Sequence, residues 1–148
     1  MKKFIRITAL IMLIVMSLSL AACGKKNDTK EPEPEAEKSV QEIYNLDMKL
    51  EQKQPMSDKL VNTEKLSSVY NETFGGNRFV DDDDENAGMT YKDLAKIMGV
   101  DATAYEYYAS GDYQVFYWNS SEDSKVYMKV YFNAGDGSIE SVVAKNFE

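Results

Sequence analysis

The stretch Lys125-Val126-Tyr127-Met128-Lys129-Val130-Tyr131-Phe132-Asn133 alternates apolar and more polar side chains. A period of two is typical of a β-strand, in which successive side chains point to opposite faces of the sheet. One face would carry Val126, Met128, Val130 and Phe132, and the other Tyr127, Lys129 and Tyr131. We expect the first set to face a layer of helices and the second set to lie on an open sheet face.

Three further segments share this character and are separated by turn-forming residues. They are rich in Tyr, Val, Phe and Trp, and they comprise residues 104–109, 113–119 and 138–145. The turns between the strands contain Ser110-Gly111-Asp112, residues 119–124 and Gly135-Asp136-Gly137. Short connections between consecutive strands predict an antiparallel meander of four strands.

Helical patterns precede the predicted sheet. Thr90 suits the N-cap of a short helix, and Gly99 suits its left-handed C-terminal cap. A capping-box pattern at Ser39 predicts an earlier helix that ends at Pro55, and a second helix is predicted from Asp58 to Phe74. The predicted fold class is α+β, with short helices packed on one face of a four-stranded antiparallel meander sheet.

The N-terminal residues carry the pattern of a bacterial lipoprotein signal peptide. Lys2, Lys3 and Arg6 precede an apolar run over residues 7–20, and Leu20-Ala21-Ala22-Cys23 follows as a processing site. The run is shorter than the roughly 20 apolar residues of a membrane span. We expect cleavage before Cys23, attachment of lipid (palmitate) to this residue, and anchoring at the extracytoplasmic face of the cell membrane.

The sequence divides into four predicted parts. Residues 1–22 are the signal peptide, and residues 23–38 are the lipidated cysteine with a disordered linker that lacks large apolar side chains. Fully extended, this linker would span about 50 Å, enough to lift a domain clear of lipid headgroups. Residues 39–78 form an N-terminal helical segment, and residues 79–148 form an α+β domain.

The C-terminal part resembles a known family. The resemblance is carried by Gly88-Met89-Thr90-Tyr91-Lys92-Asp93-Leu94-Ala95-Lys96-Ile97-Met98-Gly99, by Tyr117-Trp118, and by Val130-Tyr131-Phe132 with the turn before Ile139. These motifs are similar to those of small bacterial domains related to the β-lactamase inhibitory protein, which also occur in outer-membrane-assembly lipoproteins. The resemblance implies helices on one face of a four-stranded sheet and a binding or scaffolding role without catalysis, but not inhibition of a β-lactamase.

Composition argues against several functional classes. Without the leader, 14 basic residues face 25 acidic ones, so the net charge of −11 disfavours binding to nucleic acid. The chain has no histidine and one cysteine, which excludes zinc sites built from these residues and histidine-dependent triads. The acidic run from Asp81 to Glu85 lacks the spacing of an EF-hand and is interpreted as a solvated loop. We predict neither a metal nor a cofactor.

Tyrosines supply the candidate binding residues. Eight of the ten tyrosines lie between Tyr91 and Tyr131, more aromatic surface than one thin core absorbs. An aromatic open sheet face suits a partner, and the candidates on it are Tyr127, Tyr131, Tyr107 and Tyr117. The alternative is that tyrosines are simply good strand formers whose hydroxyls reach water.

Two function classes compete. The leading hypothesis is a membrane-anchored, non-catalytic protein-binding or envelope-assembly module with a protein partner, and not an enzyme. The rival is an enzyme or enzyme accessory that acts on cell-envelope polymers through carboxylates such as Glu106, Asp112 or Glu140. A substrate-binding lipoprotein of a transporter is disfavoured, because such proteins usually need two large lobes and this chain is short.

Overall fold

The computed structural model describes residues 38–80 and 86–147. The predicted signal peptide, Cys23, the linker up to residue 37 and the acidic run from Asp81 to Glu85 lie outside the described residues. In the described ranges, no helix is both long enough and apolar enough to cross a membrane.

Five antiparallel strands form one sheet, in which each strand pairs with its neighbours along the chain. They are β1 (Gln54–Pro55), β2 (Ala104–Tyr108), β3 (Tyr113–Asn119), β4 (Tyr127–Asn133) and β5 (Ile139–Lys145). The α+β class is confirmed. Each of the four strands expected from the sequence is present, with ends no more than two residues from those predicted.

The prediction of four strands is wrong, because β1 adds a fifth at the edge of the sheet. Gln54 pairs with Tyr105, and Pro55 pairs with Ala104. A proline has no backbone N–H to donate to a ladder, and an edge strand tolerates this loss. A strand of two residues is too short to show alternation, so the pattern that predicts β2 to β5 gives no sign of β1.

Within residues 38–80 and 86–103, the structure has three helices, which are α1 (Val40–Tyr44), α2 (Thr63–Phe74) and α3 (Tyr91–Met98). The prediction for α3 is confirmed at both ends. The side chains of Thr90 and Asp93 form a capping box at its start, and Gly99 ends it with φ of 79°. Both caps satisfy backbone groups that have no partner inside the helix.

The first helix is shorter than predicted. It begins with the expected capping box between Ser39 and Glu42, but it ends at Tyr44 because Asn45 adopts the left-handed conformation with φ of 52°. No residue of α1 is buried. A short helix without a buried face gains little from packing, so its caps and polar contacts hold it in place.

The second helix begins five residues later than predicted, at Thr63 instead of Asp58. Asn62 fixes this start, because its side-chain oxygen accepts a hydrogen bond from the backbone N–H of Lys65. Just before it, Val61 forms an isolated parallel bridge with Ser120. This extended residue ties the approach to α2 to the end of β3.

One face of the sheet packs against the helices and forms the main core. Helix α2 contributes Leu66 and Val69, and α3 contributes Leu94 and Met98. The facing strand residues are Tyr105, Phe116, Trp118, Met128, Val130, Phe132 and Val142. The predicted helix-facing set of β4 is therefore confirmed. This core also crosses the predicted boundary between residues 78 and 79.

Aromatic rings fill the centre of this core. The ring centroid of Tyr91 lies 4.2 Å from that of Phe116 and 5.8 Å from that of Trp118. The indole N–H of Trp118 donates to the carbonyl of Val100 at 3.1 Å. Burial of Trp118 therefore leaves no side-chain hydrogen-bond donor unsatisfied, because its one polar group, the indole N–H, has a partner.

Hydroxyl groups attach the N-terminal segment to the sheet. The Tyr44 hydroxyl donates to Asp101 at 2.6 Å, and the Tyr105 hydroxyl donates to the carbonyl of Met48 at 2.7 Å. The hydrogen bond to Asp101 raises the pKa of Tyr44 to about 12. These bonds hold residues 38–53 near the β2 edge.

Replacing Gly99 by alanine should lower the free energy of unfolding by about 1 kcal/mol, because a side chain disfavours the left-handed conformation. A Cβ added at Gly99 meets no atom within 4 Å, so backbone strain accounts for the cost. Gly88→Ala is the matched control, since Gly88 also has open space but no positive φ. Urea denaturation measures both variants. Equal midpoints would contradict the role assigned to this cap.

Candidate functional site

The sheet face opposite the helices carries a second, smaller cluster of side chains. Its buried members are Ala104, Val115 and Tyr117, and four partly buried tyrosines pack against them: Tyr108, Tyr113, Tyr127 and Tyr131. We call these seven residues, together with Lys129, the tyrosine face. Its members all belong to β2, β3 and β4, and in the described part of the chain no helix residue belongs to the cluster.

Strand register brings these side chains together. Tyr117 in β3 pairs with Ala104 in β2 on one side and with Lys129 in β4 on the other. Residues directly opposite each other in antiparallel strands share a face. Lys129 pairs in turn with Val143 in β5. Its Cα therefore lies between Tyr127 and Tyr131 along β4 and between β3 and β5 across the sheet.

Three tyrosine rings surround the Lys129 ammonium. The Nζ atom of Lys129 lies 4.7 Å from the ring centroid of Tyr131, 4.9 Å from that of Tyr108 and 5.5 Å from that of Tyr117. All three distances fall within the range of a cation–π interaction. Nζ also donates to the Tyr108 hydroxyl at 3.3 Å.

The ammonium of Lys129 stays charged at neutral pH. Partial burial lowers the pKa of Lys129, but hydrogen bonds to Tyr131 and Tyr108 outweigh that effect and leave the pKa above its ordinary value. The tyrosine face therefore has a fixed positive charge near its centre.

Glu106 and Lys53 interact with the same tyrosine at this face. The Tyr117 hydroxyl donates to Oε2 of Glu106 at 2.6 Å, and Nζ of Lys53 lies 3.9 Å from the Tyr117 ring centroid. Burial raises the pKa of Tyr117, and the hydrogen bond to Glu106 raises it further. The hydroxyl is therefore a firm donor that holds the Glu106 carboxylate.

The tyrosine rings meet one another at steep angles. Tyr131 packs against Tyr108 at 6.0 Å and 55°, and against Tyr113 at 6.0 Å and 88°. Tyr117 packs against Tyr127 at 6.2 Å and 50°. Tilted and edge-to-face contacts of this kind are energetically favourable for aromatic rings. They also restrict the orientations that the rings can adopt.

Three of the four tyrosines predicted as binding residues lie together on this face, namely Tyr117, Tyr127 and Tyr131. The placement of Tyr107 on it is wrong. Tyr107 belongs to the helix-side core, because it is two residues from Tyr105 and so shares its face. Its hydroxyl donates to Asp112 at 2.5 Å and accepts from Nζ of Lys49 at 3.0 Å.

The sequence pattern did not single out Tyr108, Tyr113 or Lys129. Tyr107 and Tyr108 are consecutive, so one of them must lie on each face, but only the register of β2 decides which. Lys129 stands between Tyr127 and Tyr131 in the alternation, which predicts its face. Its enclosure by rings from two other strands leaves no trace in the sequence.

The three carboxylates of the rival enzyme hypothesis have separate partners. Glu106 accepts from Tyr117, while Glu140 accepts from the side-chain amide of Asn133 at 3.1 Å. Asp112 pairs with Lys49 at 2.9 Å on the surface, and hydrogen bonds from Tyr107 and Lys49 lower its pKa. In residues 38–80 and 86–147, no three His, Cys, Asp or Glu side chains are arranged to hold a metal ion.

Comparison of the chain with models of protein families, with curated proteins and with solved structures finds no match in any of the three.

Replacing Tyr117 by phenylalanine should lower the free energy of unfolding by about 1 kcal/mol at pH 7, because the hydrogen bond to Glu106 is lost. The pKa of Tyr117 is raised in the folded protein, so the wild type loses stability above about pH 10, where only the unfolded chain ionises. The variant lacks that loss. The difference between the two proteins should therefore shrink as the pH rises above 10.

Urea denaturation from pH 7 to pH 11 measures this effect, and Tyr113→Phe is the control. Tyr113 lies on the same face with its ring against Tyr131, and it should change stability by less than about 0.5 kcal/mol at pH 7. A constant difference between wild type and Tyr117→Phe across the pH range would contradict the role of this hydroxyl.

Proposed function

We propose that this protein is a lipoprotein anchored to the extracytoplasmic face of the cell membrane, where it acts as a non-catalytic protein-binding or envelope-assembly module. The tyrosine face is its binding surface. The observation that carries this proposal is a sheet face with five tyrosines and a central lysine, on the side opposite the helices.

Tyrosine is suited to such a surface for two reasons. Its ring provides a large contact area with few rotatable bonds, and its hydroxyl can bond to a polar group of the partner. On the tyrosine face, ring contacts such as Tyr113 on Tyr131 and Tyr117 on Tyr127 already restrict the side chains. Little conformational entropy is then lost on binding, and more of the contact energy contributes to affinity.

The proposed anchor is supported by the pattern of the N-terminal sequence. Leu20-Ala21-Ala22-Cys23 follows a basic and apolar leader, which is the pattern of lipid attachment. A lipid on Cys23 would keep the binding surface at the membrane and raise its local concentration near other envelope proteins. An assembly role fits a tethered module of this kind.

Site-specific crosslinking would locate the binding surface. In cells that express the full chain, a photoreactive amino acid replaces Tyr127 or Tyr131, and in a control it replaces Lys65. Lys65 lies on α2, which packs against the opposite face of the sheet. We expect one protein to crosslink at both tyrosine positions and not at residue 65. Crosslinking only from residue 65 would overturn the assignment of the face.

The affinity for the crosslinked partner should fall by about 2 kcal/mol, or roughly thirtyfold, in Tyr127→Ala and in Tyr131→Ala. Both rings are partly buried on the tyrosine face, so truncation removes contact area and also the ring contacts that restrict the neighbouring tyrosines. Lys65→Ala should bind normally. Circular dichroism checks that each variant is folded, and titration calorimetry measures the affinity. Unchanged affinity in both tyrosine variants would refute the proposal.

Cys23→Ala should release the protein from membranes or leave it as an uncleaved precursor, because the thiol that takes the lipid is gone. Metabolic labelling with a fatty-acid analogue, followed by membrane fractionation, measures the outcome. Labelling that persists in the Cys23→Ala protein would show that the lipid is attached to another residue, and would contradict the assignment to Cys23. Turnover of envelope polymers by the purified protein would contradict the non-catalytic assignment.

A further inference from the structure

The tyrosine face carries positive charge in a protein that is acidic overall. The chain has a net charge of −8 and a pI of about 4.6, yet this face gathers three lysines, Lys129, Lys53 and Lys145, against one carboxylate, Glu106, which lies opposite Val115. Lys145 belongs to it by register, since it lies opposite Tyr127. Within the described residues, no carboxylate lies at salt-bridge distance from any of the three ammonium groups.

The carboxylate on this face already has a partner of its own. Glu106 accepts from the Tyr117 hydroxyl at 2.6 Å. The ammonium of Lys129 is instead held by three tyrosine rings and by hydrogen bonds to Tyr108 and Tyr131. These groups stabilise the cation without neutralising it, so a negatively charged group from outside would find an unpaired charge.

The ring geometry disfavours a sugar as the occupant. Stacking on a sugar needs a free, flat ring face, but the rings of Tyr108, Tyr117 and Tyr131 have an ammonium over them. The rings also meet at angles of 50° to 88°, so no common plane is formed.

A second copy of the chain is disfavoured as well. In a symmetric dimer, the same patch is used on both subunits. Packing two tyrosine faces together would bring the Lys129 ammonium groups towards each other, and the repulsion between like charges in an interface opposes association.

We propose that the tyrosine face binds an acidic segment of a partner protein, with a carboxylate of that segment meeting the Lys129 ammonium among Tyr108, Tyr117 and Tyr131. This inference rests on the proposed binding function and adds the chemistry of its partner. The partly buried ammonium is less hydrated than a fully exposed one, so less water is displaced when the carboxylate arrives. The acidic remainder of the protein repels the same partner elsewhere and directs it to this face.

A peptide array tests the charge requirement directly. The full chain in detergent micelles is applied to peptides of defined sequence that contain Asp or Glu, each printed beside a twin in which every Asp is Asn and every Glu is Gln. We expect binding to acidic peptides and little binding to their amide twins. An equal signal from both members of the pairs, or no binding to any acidic peptide, would overturn the proposal.

Variants of Lys129 separate charge from shape. Lys129→Met keeps an unbranched apolar stem and removes the charge, so affinity for the best acidic peptide should fall by about tenfold or more. Lys129→Arg keeps the charge and should bind within a few-fold of the wild type. Lys65→Met removes one exposed charge on the helical layer and should bind normally. Circular dichroism confirms folding, and equal affinity of Lys129→Met and the wild type would refute the role of Lys129.

Two further measurements test for other occupants of the tyrosine face. Binding to an acidic polysaccharide such as polygalacturonate, without binding to acidic peptides, would overturn the protein partner. If sedimentation analysis shows dimers of the full chain that dissociate in Tyr127→Ala, the occupant is a second copy of the chain and not a partner protein.

If the amide twins bind as well as the acidic peptides while Tyr127→Ala weakens binding, this inference fails and the proposed function stands. If neither Tyr127→Ala nor Tyr131→Ala weakens binding to the crosslinked partner, the proposed function fails too.

Discussion

A sheet that is covered by helices on one face must turn its other face to water, and this constraint shapes the whole structure. The helix-side core follows the usual rule, with Trp118 and Leu94 removed from solvent. On the other face Val115 is fully buried although no helix residue belongs to its cluster. Tyrosine rings cover it, since a ring can bury apolar surface while its hydroxyl stays in contact with water. The same side chains therefore stabilise the sheet and form a surface suited to recognition.

The tyrosines determine the surroundings of the positive charge on this surface. Lys129 is held by the faces of three rings, which attract a cation through their quadrupoles and leave it unpaired. The Tyr117 hydroxyl donates to Glu106, the carboxylate on this face. Tyr117 therefore contacts both the lysines and the carboxylate, which form no salt bridge with each other in the described residues. A positive centre persists on a chain whose composition is strongly acidic.

The N-terminal segment protects the other exposed element, which is the edge of β2. Its strand β1 has only two residues, and its helix α1 buries none. Hydrogen bonds such as Tyr44 to Asp101 and Tyr105 to the Met48 carbonyl attach it, and Leu46 and Met48 pack against the helix-side core. An uncovered edge strand offers unpaired backbone groups to other chains, and a short partner with a proline limits that risk. This segment also links the folded part to the residues that carry the predicted anchor.

The sequence by itself determined the features that depend on local pattern. Alternation defined β4 and its two faces, and cap residues defined both ends of α3, because these signals act within a few residues. The tertiary structure alone decided what depends on distant pairing. Strand register placed Tyr108 beside Lys129 and turned Tyr107 to the helices. The two shortened helices are a local effect that the apolar spacing concealed: the side chain of Asn62 caps the start of α2, and Asn45 ends α1 through its left-handed backbone. The fifth strand exists only because β2 offers it an edge, since two residues cannot form a ladder without a partner already in place.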